Sequence, residues 1–460
     1  MIKIPRNIKN SKKYQITKKI ISVLVSAGHE SYIVGGAVRN ILLNLTPNEY
    51  DISTSATPDE INDLFNITKL VGQSFGVTIV VEDGETFEIA TFREESDYLD
   101  GRHPDNVQYT KDVKKDINRR DFTVNGLLIN PISDEIIDLC NGLKDLKNKQ
   151  IKTIGDPNDR LSEDYLRIIR AIRFANEYDF SIDDETINAM NNNVSFLNKI
   201  SIERVRDEIS KILVGNNPGK GLKSLDKFGV LDLLLPEVSE MKDVKQPPDF
   251  HPEGDVFVHT CLVLDKLSEL RPNNIEVVYG ALLHDIGKPK TFTNTDRIRF
   301  NRHEYVGAEI SDAICKRLKF SKKQIDSIKS LVKEHMKFGN VKEMKLSTFK
   351  KFISLNNFSD HLKLHEADCK GSHGDLSLLN FTNDKIKSLE NEPRIPNPLI
   401  NGDDLIKIGL SPGPVFKKIL SYIFDEQLEG NIKNREQALK EVEKIIKNDK
   451  NKENYSRTTR

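Results

Sequence analysis

A chain of 460 residues is too long for one hydrophobic core and implies about three domains. With 30% charged residues, 37% hydrophobic residues and a formal net charge of −1, it reads as soluble and helix-rich. That balance excludes a global basic field for nucleic acid, so any RNA surface must be a local patch. No stretch reaches the ~20 apolar residues of a membrane span. Cysteines at 140, 261, 315 and 369 make no CxxC pair and no zinc-finger spacing, which suits reduced thiols in a cytoplasmic protein.

The first 20 residues carry seven Lys/Arg and no acid. The apolar run Ile20 to Ala27 behind them is short for a signal peptide. Ile16, Ile20, Val23, Leu24 and Ala27 recur at helical spacing, which predicts an amphipathic helix covering a sheet. A strand follows at Tyr32-Ile33-Val34. Gly35 and Gly36 then open a helix with Val38, Ile41, Leu42 and Leu45 on one face. After a Pro47-Asn48 turn, a second strand is predicted to carry Glu49 and Asp51 on one side, because residues i and i+2 of a strand face the same way. Two carboxylates aimed at one point suit Mg²⁺. Gly35 and Gly36 let backbone N–H groups approach phosphate oxygens, and Arg39, one turn on, can reach the same phosphates. A phosphate cradle beside a divalent-metal clamp reads as phosphoryl transfer from a nucleotide; taken alone, the acids are equally an edge strand in solvent.

This combination resembles the signature of the nucleotidyltransferase superfamily that includes DNA polymerase beta, poly(A) polymerases and tRNA CCA-adding enzymes. In the most similar subfamily the first acid is usually Asp, where this chain has Glu49.

Ser55 to Pro58 reads as the cap of a helix over Asp59 to Phe65. Strands are predicted over Val77 to Glu82 and Thr86 to Phe92, joined at Asp83-Gly84. Glu88, between Phe87 and Ile89, is a candidate third catalytic carboxylate or an exposed strand residue. Residues 94–110 are polar and aperiodic and read as a mobile loop. In the stretch Asp116 to Asn125, adjacent Arg119 and Arg120 can grip a triphosphate, with Asp121 to orient them and Asn125 for a ribose hydroxyl. The segments Gly35-Gly36-Ala37-Val38-Arg39, Asp51 to Thr54 and Arg119-Arg120-Asp121-Phe122-Thr123 with Asn125 resemble class II tRNA nucleotidyltransferases and bacterial poly(A) polymerases.

Past a turn at Gly155-Asp156-Pro157, residues 161–174 read as one helix burying Leu166, Ile169, Ile172 and Phe174. Asp164 and Arg167 then share a face, either as an ordinary ion pair or as readers of a base edge. The EDxxR match is similar to the family segment that selects cytosine and adenine, with Arg170 and Arg173 left for phosphates or the RNA end. Ser201 reads as the N-cap of a helix, and residues 221–238 as another ending at Pro236.

Histidines gather in the third segment. His259, His284, Asp285, His303, His335 and Asp368 can ligate a divalent transition metal whose bound water attacks a phosphoester. The ordered set resembles the HD phosphohydrolase domain, whose known members include cyclic phosphodiesterases, phosphatases and nucleotidases. After the prolines at 393, 396 and 398, a helix is predicted from Asp404 past Leu420, with Gly409 to Gly413 as an interhelical turn or a phosphate contact. The last dozen residues read as disordered.

The resemblance implies an α+β architecture: a small polymerase-beta-like head with a mixed sheet and helices (1–155), an all-helical neck and body (156–245), an all-helical HD domain (246–395) and a helical RNA-binding tail with a disordered end (396–460). It implies addition of CCA to tRNA from CTP and ATP with Mg²⁺, without a membrane. The alternatives are a poly(A) polymerase, a CC- or A-only adding enzyme, and a metal-dependent phosphohydrolase whose head only binds RNA. Gly72 to Gly76, without a basic run, favours CCA addition.

Overall fold

The computed structural model describes residues 4–70, 76–96, 106–248, 251–271, 274–389 and 395–457. The chain divides into two units, Met1–Glu240 with Arg317–Lys319 and Met241–Lys316 with Phe320–Arg460.

The first unit begins with a seven-stranded mixed sheet. Its strands are β1 (Ser31–Val34), β2 (Asp51–Thr54), β3 (Thr68–Leu70), β4 (Val77–Glu82), β5 (Glu85–Thr91), β6 (Leu127–Asn130) and β7 (Glu135–Asp138). They lie in the order β3-β4-β5-β2-β1-β6-β7. The β2–β5 pair is parallel and its neighbours are antiparallel. Asp83 and Gly84 both have positive φ, the geometry of a tight hairpin turn between β4 and β5. Helix α1 (Lys12–Ser26) buries Tyr14, Ile16, Ile20, Ile21 and Leu24 and packs on β1 and β2, so the apolar run near the start is an amphipathic helix. Thr57 and Glu60 form a reciprocal capping box at the start of the helix Pro58–Leu64.

Three expectations change here. β2 begins at Asp51, so Glu49 lies in the loop before it. The cause is the partner strand: Val34 is the last β1 residue to pair, with Asp51, and Gly35 turns the chain away at φ 72°. The polar stretch after β5 contains a two-stranded ribbon, Arg93–Ser96 against Asn106–Tyr109; the intervening residues 97–105 of the expected loop lie outside those described. The single helix expected over 161–174 is two, α2 (Pro157–Glu163) and α3 (Arg167–Tyr178), broken at Asp164, whose φ of −151° and ψ of 99° are extended.

The body adds α4 (Ile202–Val214), whose N-cap Ser201 makes no side-chain capping bond. The stretch expected as one helix at 221–238 is three: Pro218–Lys227, Val230–Leu234 and Pro236–Ser239. Gly229, at φ 72°, makes the first break.

The second unit is built mainly of helices. Those used below are α5 (Val256–Glu269), α6 (Ile275–Leu283), α7 (His303–Arg317), α8 (Lys322–Glu334) and α9 (Phe358–Gly371). Towards its end, the helix expected from Asp404 is interrupted: Gly402–Lys407 stops before Gly409, at φ 92°, and Pro414–Leu428 follows. These pack on Arg435–Arg457 around Leu405, Ile419, Ile423, Ala438 and Val442. The backbone stays helical to Arg457, through much of the segment whose composition suggests disorder. Among the described residues no helix is long and apolar enough to cross a membrane.

Ile20 is fully buried between α1 and the sheet. Ile20→Ala removes that packing and is expected to destabilise the first unit by about 2–5 kcal/mol, read as a lower urea midpoint of its unfolding transition.

Candidate functional site

Three carboxylates gather around the middle strands β2 and β5 of the head sheet. The parallel register Ile52↔Ile89 sets Asp51 beside Glu88 one residue earlier on each strand. Glu49, although outside the strand, is near enough for its charge to act on Asp51. Partial burial first, then Glu88 and Glu49, push the Asp51 carboxyl above its ordinary range, against the pull of Arg120. Crowded anions of this kind are relieved by a cation, and an all-carboxylate donor set suits a hard divalent ion. A Cβ on Gly35 would lie 3.7 Å from Asp51 Oδ2 and 3.8 Å from Arg120 Nη1, so the glycine sits between the acids and the arginines. Its left-handed φ is one that side chains rarely adopt.

The arginine pair is held by Asp116, which sequence reasoning passed over. Asp116 Oδ1 accepts from Arg119 Nε at 2.9 Å and Nη2 at 2.7 Å, while Oδ2 accepts from Arg120 Nη2 and Ser53 Oγ, both at 3.1 Å. Burial would push this carboxyl up, but Arg120 and Arg119 hold it below its ordinary value. The signal was present: Asp116 stands three and four residues before the arginines, at the spacing of one helix face. Asp121, expected to orient them, instead faces the neck. Its Oδ2 accepts from Arg170 Nε at 3.0 Å and Nη2 at 2.5 Å, and its Oδ1 from Phe122 N and Asn125 Nδ2. Burial acts to raise the Asp121 carboxyl, yet Arg170 and the hydrogen bond from Asn125 keep it well below the usual range.

Arg39 is also committed elsewhere. It is buried, donates to Asn125 Oδ1 at 2.6 Å and to the Tyr178 hydroxyl at 2.5 Å, and stacks over the Tyr178 ring at 4.2 Å. It therefore joins the glycine helix to the end of α3, and Asn125 is spent between Arg39 and Asp121. Arg170 and Arg173 converge on the buried Glu208 of α4, at 3.8 and 2.7 Å, and Arg173 also pairs with Glu177. These arginines, expected to meet phosphates, build the neck.

The expected Asp164–Arg167 pair is not a pair. Asp164 precedes α3 and receives Arg204 Nη2 at 2.6 Å on Oδ2. Arg167 donates to Glu163 Oε2 at 2.6 Å and to the carbonyls of Arg160 and Arg119 at 2.5 and 3.0 Å. The helix break separates the two; each is fixed by its own partner.

In the second unit all six expected donors converge. His259 comes from α5, His284 and Asp285 follow α6, His303 opens α7, His335 follows α8 and Asp368 lies on α9. His284, His303 and His335 point Nδ1 at the carbonyls of Ala281, Phe300 and Val332, at 2.8, 2.9 and 2.6 Å. Their Nε2 atoms therefore face inward, 3.2 Å apart for His259 and His284 and 3.3 Å apart for His303 and His335. Two neutral lone pairs so close repel unless a proton or a cation lies between them, so the donors fit a metal. Two groups result: His259, His284 and Asp368, and Asp285, His303 and His335. Asp285 faces both, with Oδ2 3.3 Å from His284 Nε2 and Oδ1 3.4 Å from His303 Nε2. Lys288 Nζ lies 2.6 Å from Asp285 Oδ2 and 2.5 Å from Gln246 Oε1, in a contact the sequence did not suggest. Gly287 lets these elements close up: a Cβ there would fall 2.1 Å from the His303 carbonyl oxygen and 2.6 Å from the Gly307 nitrogen.

Comparison with known proteins decides the family. Residues 31–152 match the Poly A polymerase head domain, residues 179–242 the segment described as "Probable RNA and SrmB- binding site of polymerase A", and residues 305–442 the tRNA nucleotidyltransferase domain 2. A CCA-adding enzyme of Ligilactobacillus salivarius (strain UCC118) is 31% identical over 438 residues, covering 94% of this chain and 96% of its own. The chain belongs to the CCA-adding enzyme family. A second CCA-adding enzyme, from Lactococcus lactis subsp. cremoris (strain MG1363), is 33% identical over 439 residues, covering 94% of this chain and 96% of its own. The fold is that of the Bacillus stearothermophilus CCA-adding enzyme solved with CTP, with a TM-score of 0.75 at 23% identity, over 96% of this chain and 100% of that one. Within this family member, His259, His284, Asp285 and His303 fall between the second and third matched segments.

Two outcomes test this geometry. Asp116→Asn leaves two guanidiniums without their shared anion and is expected to lower kcat/KM for nucleotide incorporation about 10–100-fold, mostly through nucleotide KM. Gly287→Ala forces His303 away from Asp285 and is expected to weaken divalent-ion uptake by the second unit, measured by equilibrium dialysis, while incorporation by the head is retained.

Proposed function

We propose that this protein completes tRNA 3′ ends by adding CCA from CTP and ATP with Mg²⁺, and that its second unit carries a metal-dependent phosphoester hydrolase centre of the HD type. The observation that carries the first part is the meeting of Glu49, Asp51 and Glu88 with Arg119 and Arg120 around Gly35, in a chain whose near-full-length relatives are CCA-adding enzymes. Glu49, Asp51 and Glu88 would hold Mg²⁺, which would supply charge neutralisation and acidify the attacking hydroxyl. Asp51 and Glu88 orient the RNA 3′-hydroxyl toward the α-phosphate of the nucleotide. Arg119 and Arg120, fixed from behind by Asp116, hold the triphosphate and take up charge as pyrophosphate leaves.

Asp164 and Arg167 select the base. Arg204 holds the Asp164 carboxylate so that it still accepts from the exocyclic amine shared by cytosine and adenine. Arg167, held by Glu163 and two carbonyls, donates to the ring nitrogen or carbonyl beside that amine. Uracil and guanine present the opposite order of donors and acceptors. Arg39, Asn125, Asp121, Arg170 and Arg173 keep the phosphate end and the base end in register.

Full CCA addition is preferred to poly(A) addition because relatives spanning nearly the whole chain are CCA-adding enzymes. Most of the Gly72 to Gly76 segment that bears on this choice lies outside the described residues. The hydrolase reading rests on the two adjoining His/Asp groups, with Asp285 within 3.3 Å of His284 Nε2 and 3.4 Å of His303 Nε2. The four cysteines are thiols rather than disulfides, which accords with a cytoplasmic location.

A tRNA transcript lacking its 3′-terminal CCA, incubated with Mg²⁺ and each nucleotide singly and together, is expected to gain CCA and stop. A long A-tail, or addition of CC or A alone, replaces this reading by the corresponding alternative. Asp51→Ala is expected to reduce incorporation to background while hydrolysis of bis(p-nitrophenyl) phosphate persists; chelation of transition metals is expected to remove that hydrolysis.

A further inference from the structure

Besides the group His251, Glu253 and His259, the second unit holds two metal-donor groups of the same composition, two imidazoles and one carboxylate each. They differ in what stands behind the imidazoles. The outer nitrogens of His284, His303 and His335 face peptide carbonyls. His259 alone is backed by a carboxylate: its Nδ1 lies 2.7 Å from Glu253 Oε1. Glu304, near His303, is 3.7 Å from an Nδ1 already 2.9 Å from the Phe300 oxygen, so it does not take the same place. Glu253 is itself fixed. Its side chain is only 6% exposed, and His251 Nδ1 lies 3.0 Å from the same Oε1, with the His251 ring edge-on to His259 at 4.7 Å.

A carboxylate behind an imidazole holds the proton on Nδ1, keeps the Nε2 lone pair turned inward and raises its basicity more than a neutral carbonyl does. We propose that Glu253 is the positioning residue for His259 and makes the His259, His284 and Asp368 group the tighter of the two ion sites, so that the second unit loads in order. Lys288, beside Asp285 Oδ2, does not reverse this order, because Asp368 supplies the first group's own carboxylate. The inference rests on the metal-centre reading of these residues.

The test is a Co²⁺ titration of full-length protein stripped of metal, with Mg²⁺ in excess for the head, followed by calorimetry and by the visible absorption of imidazole-bound Co²⁺. The wild-type protein is expected to bind in two phases, with His284→Ala removing the first and His303→Ala the second. Glu253→Ala is expected to weaken the first phase about 10–100-fold and bring it toward the second. Glu253→Gln, which keeps an acceptor oxygen without its charge, is expected to restore the orientation of His259 but leave the first phase close to the second. Nucleotide incorporation by the head and far-UV circular dichroism serve as folding controls for each variant. Two phases unchanged in both Glu253 variants, or both phases weakened equally, overturn the role of Glu253. Absence of Co²⁺ uptake by the wild type instead overturns the metal-centre reading, and this inference with it.

Discussion

One buried carboxylate governs the first unit. Asp121 stands where the head sheet gives way to the neck helices and accepts hydrogen bonds from both sides: Phe122 N–H and Asn125 from the head, Arg170 from α3. From Asn125 the contacts continue to Arg39 and the glycine helix, and from Arg170 to Glu208 and Arg173. The glycine helix and α3 are thus two ends of one charged chain. A buried ion pair of this kind contributes little net stability over apolar packing, but removal of one partner leaves a stranded charge costing about 3–5 kcal/mol. The arrangement therefore specifies relative position more than it adds stability. An enzyme that selects bases without a template needs that fixed relation between the α-phosphate and the base edge.

Close backbone approach does the corresponding work at each chemical centre. Gly35 ends β1, and with it the pairing of β2, so that Asp51 opens the second strand beside Glu88. Gly287 brings the turn after His284 and Asp285 against the first turn of α7, where His303 begins. In both places a methyl group would cost geometry rather than contact area. In the second unit His284, Asp285, His303 and His335 sit at helix ends, where side chains from several helices can reach one point without disturbing the packed helix faces.

The two centres differ in donor chemistry and so in the ions they suit. The head offers only oxygen around Asp51, open on one side to solvent, as a hard ion exchanging with its nucleotide requires. The second unit offers four imidazole nitrogens and two carboxylates, nearly all buried, as a retained transition metal requires. One chain therefore combines an all-oxygen donor set with an imidazole-rich one.

Residue type and spacing were enough to suggest the kinds of chemistry before any fold was known. The strand alternation expected to carry both Glu49 and Asp51 reaches only Asp51, whereas the adjacent arginines rest on local spacing and the six His/Asp donors on an ordered likeness to a known domain. Family likeness then supplied their common purpose. Only the tertiary structure decided which partner each charge takes. Asp116 rather than Asp121 holds Arg119 and Arg120; Arg204 rather than Arg167 faces Asp164; Glu208 and Tyr178 enter from distant segments, and Glu253 from the turn six residues before His259. The physical reason is that ion pairs in a folded chain are set by distance and burial across elements, and a helix break of three residues at Asp164 is enough to rotate one partner away from another. Sequence spacing predicts a shared face only while the helix continues, and at this site it stops.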